Sequence, residues 1–359
     1  MISLTCHEVF GRFAPKLPSV FPEKMAVVCR HTYRQPVAFR ETEIAGCAEY
    51  QQAFGIRCVQ IDIGMAAEWL NQHDLRLDEV VRTPRRQMLG TNAERDRSIR
   101  GQCSGNAIHL WYCKQIVVEN NQVRGHRDGI YLEFVDDSRV RNNISENNLR
   151  YGLHFMFSND DDYSHNIFRR NGAGVAVMFS RNINMWENRF EYNWGRASYG
   201  LLLKEIYDAE IRDNVFLENT IGIYVEGSTR IQYQHNEFNR NGWAIKMSGG
   251  CLDNTVTANN FLDNTFDLSL NSAPNNNSFD GNYWSEYNGY DLGRDGVGDV
   301  PYQPVKLFNY VVNRTPEAMV LLRSLFVDLL NFSEKVSPVL TPANVADKTP
   351  LMQKLNFQS

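Results

Sequence analysis

Gly129-Ile130-Tyr131-Leu132 returns as Gly152-Leu153-His154-Phe155 and again as Gly174-Val175-Ala176-Val177. The pattern is a small residue, then apolar, any, apolar. It starts at Ala107-Ile108-His109-Leu110 and continues as Gly200-Leu201-Leu202-Leu203, Gly222-Ile223-Tyr224-Val225 and Ala244-Ile245-Lys246-Met247. Successive copies are 22, 23, 22, 26, 22 and 22 residues apart. A second anchor keeps step: Asn121, Asn143, Asn166, Asn188, Asn214, Asn236, Asn259 and Asn282, usually with Phe, Val or Trp two places on. Five residues beyond most of these stands a further Asn: Asn148, Asn171, Asn193, Asn219, Asn241 and Asn264. A fixed period of this length is the signature of a solenoid or array.

The physics of the repeat selects among solenoids. Each coil holds short runs that alternate apolar and polar, which is strand period. Gly and Asn punctuate the runs, and both tolerate the positive φ of tight turns. A single coil cannot bury its apolar face, but stacked coils place equivalent residues about 4.7–4.9 Å apart. Stacked Asn amides then hydrogen-bond along the ladder, as in other cross-β stacks. The expectation is an all-β, right-handed parallel β-helix of about eight coils over residues 101–284. A leucine-rich horseshoe would need a Leu-rich consensus and a helical segment per repeat, and neither is evident.

With 359 residues and 43% hydrophobic composition, a sizeable core can be buried. The net charge of −5 argues against a nucleic-acid partner, which favours a basic face. There is no apolar run of transmembrane length. The start lacks a secretory apolar core, since Met25 to Cys29 is too short. Cys6, Cys29, Cys47 and Cys58 show no CxxC spacing, so neither a zinc site nor a disulfide framework is supported. Residues 1–100 show no repeat and carry an Arg-rich stretch from Arg82 to Arg100. They are expected to be an atypical segment, non-native or disordered, because their pattern contradicts the rest. Residues 285–359 form a closing segment. In it, Thr315-Pro316-Glu317 is a good helix start. Met319, Leu322, Leu325, Phe326, Leu329 and Leu330 then make an amphipathic stripe. Pro338, Pro342 and Pro350 predict an extended tail.

Several segments resemble one family. They are Arg150-Tyr151-Gly152-Leu153-His154-Phe155-Met156-Phe157-Ser158, Tyr199-Gly200-Leu201-Leu202-Leu203-Lys204-Glu205, and Gly281-Asn282-Tyr283-Trp284-Ser285-Glu286-Tyr287 through Asp299-Val300-Pro301-Tyr302. With Pro338-Val339-Leu340-Thr341-Pro342, they look like the NosD family of nitrous-oxide reductase maturation proteins. The resemblance covers roughly residues 103–352. It implies a periplasmic, non-enzymatic protein that works with the membrane and ATPase subunits of an ABC transporter. It also implies a copper-donor lipoprotein and nitrous-oxide reductase as partners, with copper as the metal handled. Family members begin with a signal peptide and further coils, which residues 1–100 do not resemble. The family's acid-rich closing loop here reads Asp291-Leu292-Gly293-Arg294-Asp295-Gly296-Val297-Gly298-Asp299. One acid is missing and Arg294 adds positive charge, so a Gly-rich structural turn is favoured over a calcium loop.

Within each repeat the apolar pair faces the core, so the residue between them and the one after face outward. The first outward column is His109, Tyr131, His154, Ala176, Leu202, Tyr224 and Lys246. The next is Trp111, Glu133, Met156, Met178, Lys204 and Glu226. Copper(I) prefers imidazole and thioether ligands. His154 and Met156 share a side, and Met178 is expected over Met156 one coil on, so these three are the candidate ligands. His109 is expected two coils from His154, about 9–10 Å, too far to join without movement. The alternative for this wall is an aromatic contact surface that includes Tyr131, Tyr151 and Tyr199. The long repeat adds residues at Trp194-Gly195-Arg196-Ala197-Ser198, and Trp194 and Arg196 suit an interface anchor. Leu325, Phe326 and Leu329 could dock on a membrane partner or cap the last coil. His126, His165 and His235 read as solvated or hydrogen-bonded. A polysaccharide lyase or hydrolase is the competing function, but it needs converging carboxylates. The outward acids are instead scattered: Glu133 and Glu226 are four coils apart with Lys204 between, and Asp160-Asp161-Asp162 is a loop run.

Overall fold

The computed structural model describes residues 88–89, 105–270, 276–336 and 345–357. The chain forms two compact units, divided between Arg189 and Phe190. It is an all-β parallel solenoid of about eight turns with a short C-terminal helical region. Each coil supplies one strand to each of three faces.

In the first unit, face A holds Ile108–Lys114, Asp128–Asp136, Tyr151–Met156 and Ala173–Met178. Face B holds Val117–Glu119, Arg139–Arg141, Asp161–Ser164 and Arg181–Trp186. Face C holds Met88–Leu89, Gln122–Arg124, Ile144–Glu146 and Ile167–Arg169. In the second unit, face A holds Leu201–Lys204, Ile221–Glu226, Trp243–Ser248 and Phe266–Leu270. Its face B holds Tyr207–Arg212, Thr229–Gln234, Thr255–Thr257 and Ser278–Asp280, and its face C holds Val215–Leu217, Glu237–Asn239, Asn260–Leu262 and Tyr283–Trp284. The strand Arg189–Glu191 contains the boundary.

The reading of residues 1–100 lies outside the described residues, except that Met88 pairs with Val123 and Leu89 with Arg124 in parallel register. Cys6, Cys29, Cys47, Cys58, the Arg-rich stretch and Pro338 to Pro342 also lie outside them.

The pairing register follows the period. Ile130, Leu153 and Val175 are successive partners on face A, and Phe216, Phe238 and Phe261 are successive partners on face C. Equivalent apolar residues therefore pile up inside. In the second unit, Phe190, Phe216, Phe238, Phe261 and Trp284 stack at centroid spacings of 4.6, 5.0, 4.9 and 4.1 Å, with near-parallel rings. Each such pair adds about 0.5–1.5 kcal/mol beyond burial alone.

The Asn columns are hydrogen-bonded ladders. In the first unit, Asn143 Oδ1 accepts from the backbone N–H and the Nδ2 of Asn121, while Asn143 Nδ2 donates to Asn166 Oδ1 and to Val118 O. In the second unit, Asn236 repeats the pattern between Asn214 and Asn259. A second ladder there runs from Asn193 through Asn219 and Asn241 to Asn264. Without these amides the buried corner N–H and C=O groups would lack partners.

Both second-unit ladders end on a carboxylate. Asn264 Nδ2 donates to Asp267 Oδ1. Asp347, wholly buried, accepts from Gly281 N, Asn282 N, Asn282 Nδ2 and Trp284 Nε1. A carboxylate oxygen accepts and calls for no onward acceptor, so it closes a ladder.

The helical region departs from the single stripe that the sequence suggests. Helix α1 spans Leu307–Arg314, a 3-10 helix spans Pro316–Leu321, and helix α2 spans Leu325–Val336. Pro316 drives the preceding Thr315 out of helical geometry, to φ −137° and ψ 83°, and Thr315 makes no capping bond. Helix α1 is pinned on face A of its unit: Asn309 Nδ2 donates to Leu268 O, and Asn313 Nδ2 to Ser269 Oγ. Phe308, Val312 and Val327 close over Phe266, with Met319, Leu322 and Leu330 packed around them. The stripe thus splits: three of its members turn inward, while Leu325, Phe326 and Leu329 are exposed. Among the described residues no helix is long and apolar enough to cross a membrane.

Candidate functional site

The candidate ligands His154, Met156 and Met178 lie on face A of the first unit. Along Tyr151–Met156, Leu153 and Phe155 are fully buried toward the core, so His154 and Met156 project outward. The register is His109 to Tyr131 to His154 to Ala176 in one column and Trp111 to Glu133 to Met156 to Met178 in the next. Met178 therefore lies directly beside Met156, on strands about 4.7–4.9 Å apart. Both thioethers are half-buried.

His154 is only 6% exposed although it lies on the outer wall. Its ring packs against Tyr131 and Tyr151, each at 4.9 Å between centroids. Neither of its nitrogens has a hydrogen-bond partner. Burial drives its pKa down to about 4, so the imidazole is neutral at pH 7 and offers a lone pair. His109 packs on the other side of Tyr131 at 4.8 Å, its Nε2 is buried without a partner, and burial lowers its pKa too. Tyr131 donates its phenol proton to Glu133 Oε2 at 3.3 Å, and burial, with Glu133, pushes its pKa up to about 12. Beneath this cluster the buried Asp128 accepts from Arg150 Nε at 2.8 Å, and the guanidinium lies 4.9 Å above the Tyr151 ring.

One neutral imidazole and two thioethers on one patch make a donor set suited to a soft monovalent ion. The orphaned nitrogens of His154 point the same way, because a buried polar group without a partner calls for an explanation such as a bound ion. Among the described residues no three His, Cys, Asp or Glu side chains gather as a metal centre, so the candidate depends on its thioethers.

Beside the thioether column runs a feature that sequence reasoning missed. Tyr112, Phe134, Phe157 and Phe179 occupy the bend next to that column, within the first two strands of face A and just past the end of the next two, all with left-handed φ of 50 to 55°. Their rings stack at 4.6, 5.1 and 5.1 Å, and Tyr112, Phe157 and Phe179 are exposed. The signal was available: an aromatic residue follows each member of the outward column from Trp111 to Met178.

Trp194, Arg196, Tyr199, Leu325, Phe326 and Leu329 belong to the second unit. Trp194 and Arg196 are exposed on the inserted loop, whose Gly195 N donates to Thr220 Oγ1. Tyr199 is half-buried and packs against Tyr224 at 5.5 Å. Leu325, Phe326 and Leu329 form an exposed apolar face on α2 with Phe332. His165 and His235 face Glu187 and Asp213. His126 differs from the solvated or hydrogen-bonded histidine expected: its Nε2 is buried without a partner, and burial brings its pKa to about 3. In the closing loop, Asp291, Asp295 and Asp299 accept backbone N–H groups of the loop itself.

Comparison with known proteins gives a consistent answer. The family described as "Periplasmic copper-binding protein (NosD)" matches residues 89–289. The "Probable ABC transporter binding protein NosD" of Stutzerimonas stutzeri is 30% identical over 285 residues, 74% of this chain and 64% of that protein. The protein of the same description from Pseudomonas aeruginosa is 31% identical over 284 residues, 74% of this chain and 65% of that protein. The chain thus spans somewhat under two thirds of the length of these relatives. Among solved structures, the enzymatically active domain of tailspike protein 2 from bacteriophage CBA120 aligns at TM-score 0.40 and 14% identity, over 50% of this chain and 37% of that one. A likeness that weak carries no functional argument.

Proposed function

Because this chain belongs to the NosD family of periplasmic copper-binding proteins, we propose that it handles copper(I) in the periplasm as an accessory to an ABC transporter. In this reading it serves maturation of the copper centre of nitrous-oxide reductase. It receives the ion from a copper-donor lipoprotein and works beside the transporter's membrane and ATPase subunits. Copper is cargo here, and the chain itself does no covalent chemistry. The solenoid of residues 101–284 presents the ion, and residues 285–359 close it and dock.

The observation that carries this reading is the patch of His154, Met156 and Met178. The neutral imidazole needs no deprotonation to bind, and thioethers never do, so affinity should hold across mildly acidic pH. Leu325, Phe326 and Leu329 on α2 are the surface proposed for the transporter, since three large apolar side chains left in water on one helix face suit a protein partner. Trp194 and Arg196, with Tyr131, Tyr151 and Tyr199, supply further contact surface.

Copper(I) titration of the full chain, against a competing chelator under reducing conditions, tests the site. His154→Ala and Met156→Ala are each expected to weaken binding at least tenfold. Wild-type affinity in both variants would remove the assignment. Co-purification with the transporter subunits tests α2: Phe326→Asp should abolish it while leaving copper affinity intact.

A further inference from the structure

The His109–Tyr131–His154 column contains one more imidazole than the proposed site uses. The three residues are consecutive register partners on neighbouring strands, and the tyrosine ring is packed between the imidazoles at 4.8 and 4.9 Å. His109 Nε2, His154 Nδ1 and His154 Nε2 are all buried, and none meets a donor or acceptor. Buried nitrogens left without partners on both sides of one ring are a poor arrangement for stability alone. They are a sensible one if the ring can leave. Tyr131 is held on the open side by one hydrogen bond to Glu133 Oε2, at 3.3 Å long for an O–H···O contact. It is half-buried on an outer wall, so it can swing into solvent without disturbing the core. Glu133 is itself the register neighbour of Met156, so the tether ends beside the thioethers.

We propose that His109 is a second imidazole ligand of the copper(I) site and that Tyr131 is the positioning residue that controls its access. The inference rests on the copper reading above. With the ring in place the ion is held by His154, Met156 and Met178. With the ring swung out, His109 and His154 face each other across two strand spacings, roughly 9–10 Å between backbones, a gap that two histidine side chains can span around one ion. The site then has two states of different affinity, suited to taking up an ion and later giving it away.

The test is copper(I) affinity by chelator competition, with X-ray absorption to count nitrogen and sulfur neighbours. Tyr131→Ala is expected to bind at least tenfold more tightly, with one added nitrogen ligand, and the Tyr131→Ala/His109→Ala double variant to lose both changes. Tyr131→Phe keeps the packed ring and cuts the tether to Glu133, and should give a smaller gain that also depends on His109. Unchanged affinity in Tyr131→Ala, or a gain that survives loss of His109, overturns the inference. If His154→Ala weakens binding while Tyr131→Ala changes nothing, the copper reading stands and only the gate falls. If His154→Ala and Met156→Ala are both silent, the reading and the gate fall together.

Discussion

The bend next to the second outward column of face A turns in the same way in both units, but the two units fill it differently. In the first it holds Tyr112, Phe134, Phe157 and Phe179; in the second it holds Glu205, Gly227 and Gly249. All seven have positive φ, between 48 and 60°. For a side-chain-bearing residue this conformation costs roughly 1–2 kcal/mol, and for glycine almost nothing. Three stacked ring pairs return about 0.5–1.5 kcal/mol each, which does not clearly offset four strained residues. The turn alone therefore favours glycine, which the second unit uses at two of its three positions. The first unit keeps aromatic rings there against local preference, beside the His154 and Met156 columns. Left-handed non-glycine residues recur at bends throughout the coils, Asn142, Arg170, Glu187 and Glu218 among them, so the fold sets the conformation and the stacked rings are what is particular to the first unit. The second unit spends its unusual residues on closure, at Asp267, Asn309 and Asp347.

The comparison can be broken most forcefully through what the units share. Asn166→Ala in the first unit and Asn236→Ala in the second each leave one corner N–H without its acceptor and one carbonyl without its side-chain donor, while the neighbouring amides keep their bonds to Arg141 O and Arg212 O. At about 1–3 kcal/mol per buried unsatisfied group, each should cost about 4 kcal/mol in chemical denaturation. A large loss in one and none in the other would show that the ladders are not equivalent.

Next in size is a pH effect seated in the first unit's core. Asp161 accepts from Ser138 N and meets the Tyr163 hydroxyl, and burial raises its pKa to about 8. In the unfolded chain it titrates near ~3.9. The native state therefore holds the proton more tightly. Its contribution is intact below about pH 4 and is lost as pH rises from there to about 8. Asp161→Asn, measured by denaturation at pH 5 and pH 8, should flatten a decline on the order of 3 kcal/mol. An unchanged pH profile would place the proton elsewhere.

The bend itself gives a smaller, signed test. An added Cβ at Gly227 meets Glu205 Cγ at 3.4 Å and nothing closer, so Gly227→Ala should cost only the conformational ~1–2 kcal/mol. Phe157→Gly removes strain and stacking together and should leave thermal stability within about 1 kcal/mol of wild type. A large loss there would mean that the rings hold the first unit together after all. Smallest of all is the exposed Arg230–Asp208 pair of the second unit. Asp208→Asn should leave the melting temperature unchanged, whereas Asp128→Asn, which breaks the pair to a buried carboxylate in the first unit, should lower it measurably.

Much of this architecture was legible before any coordinates. The period gave the coils, the Asn columns gave the ladders, and a step of 22 from Met156 to Met178 gave their adjacency. What escaped has two physical causes: contacts between groups the period does not relate, and backbone conformation that the period does not report. Asp347 lies 65 residues beyond the Asn282 that it caps, and no spacing announces it. The aromatic column was visible as letters, but its backbone conformation was not, because the period says nothing of φ. The apolar stripe of the C-terminal region was real, yet Pro316 and the pull of Phe266 divided it between core and solvent.

The Asn ladders also point one way along the chain: each amide hands its N–H to the coil that follows. Such a chain of donors has a beginning and an end that are not interchangeable, and the last rung stays a dangling donor until Asp347 arrives. Because that residue lies sixty-five residues beyond the rung it seals, a solenoid that forms from its first coil onward has one end open until the tail docks. Truncation just before Asp347 should therefore yield a chain whose coils form but whose last rung frays and recruits neighbours.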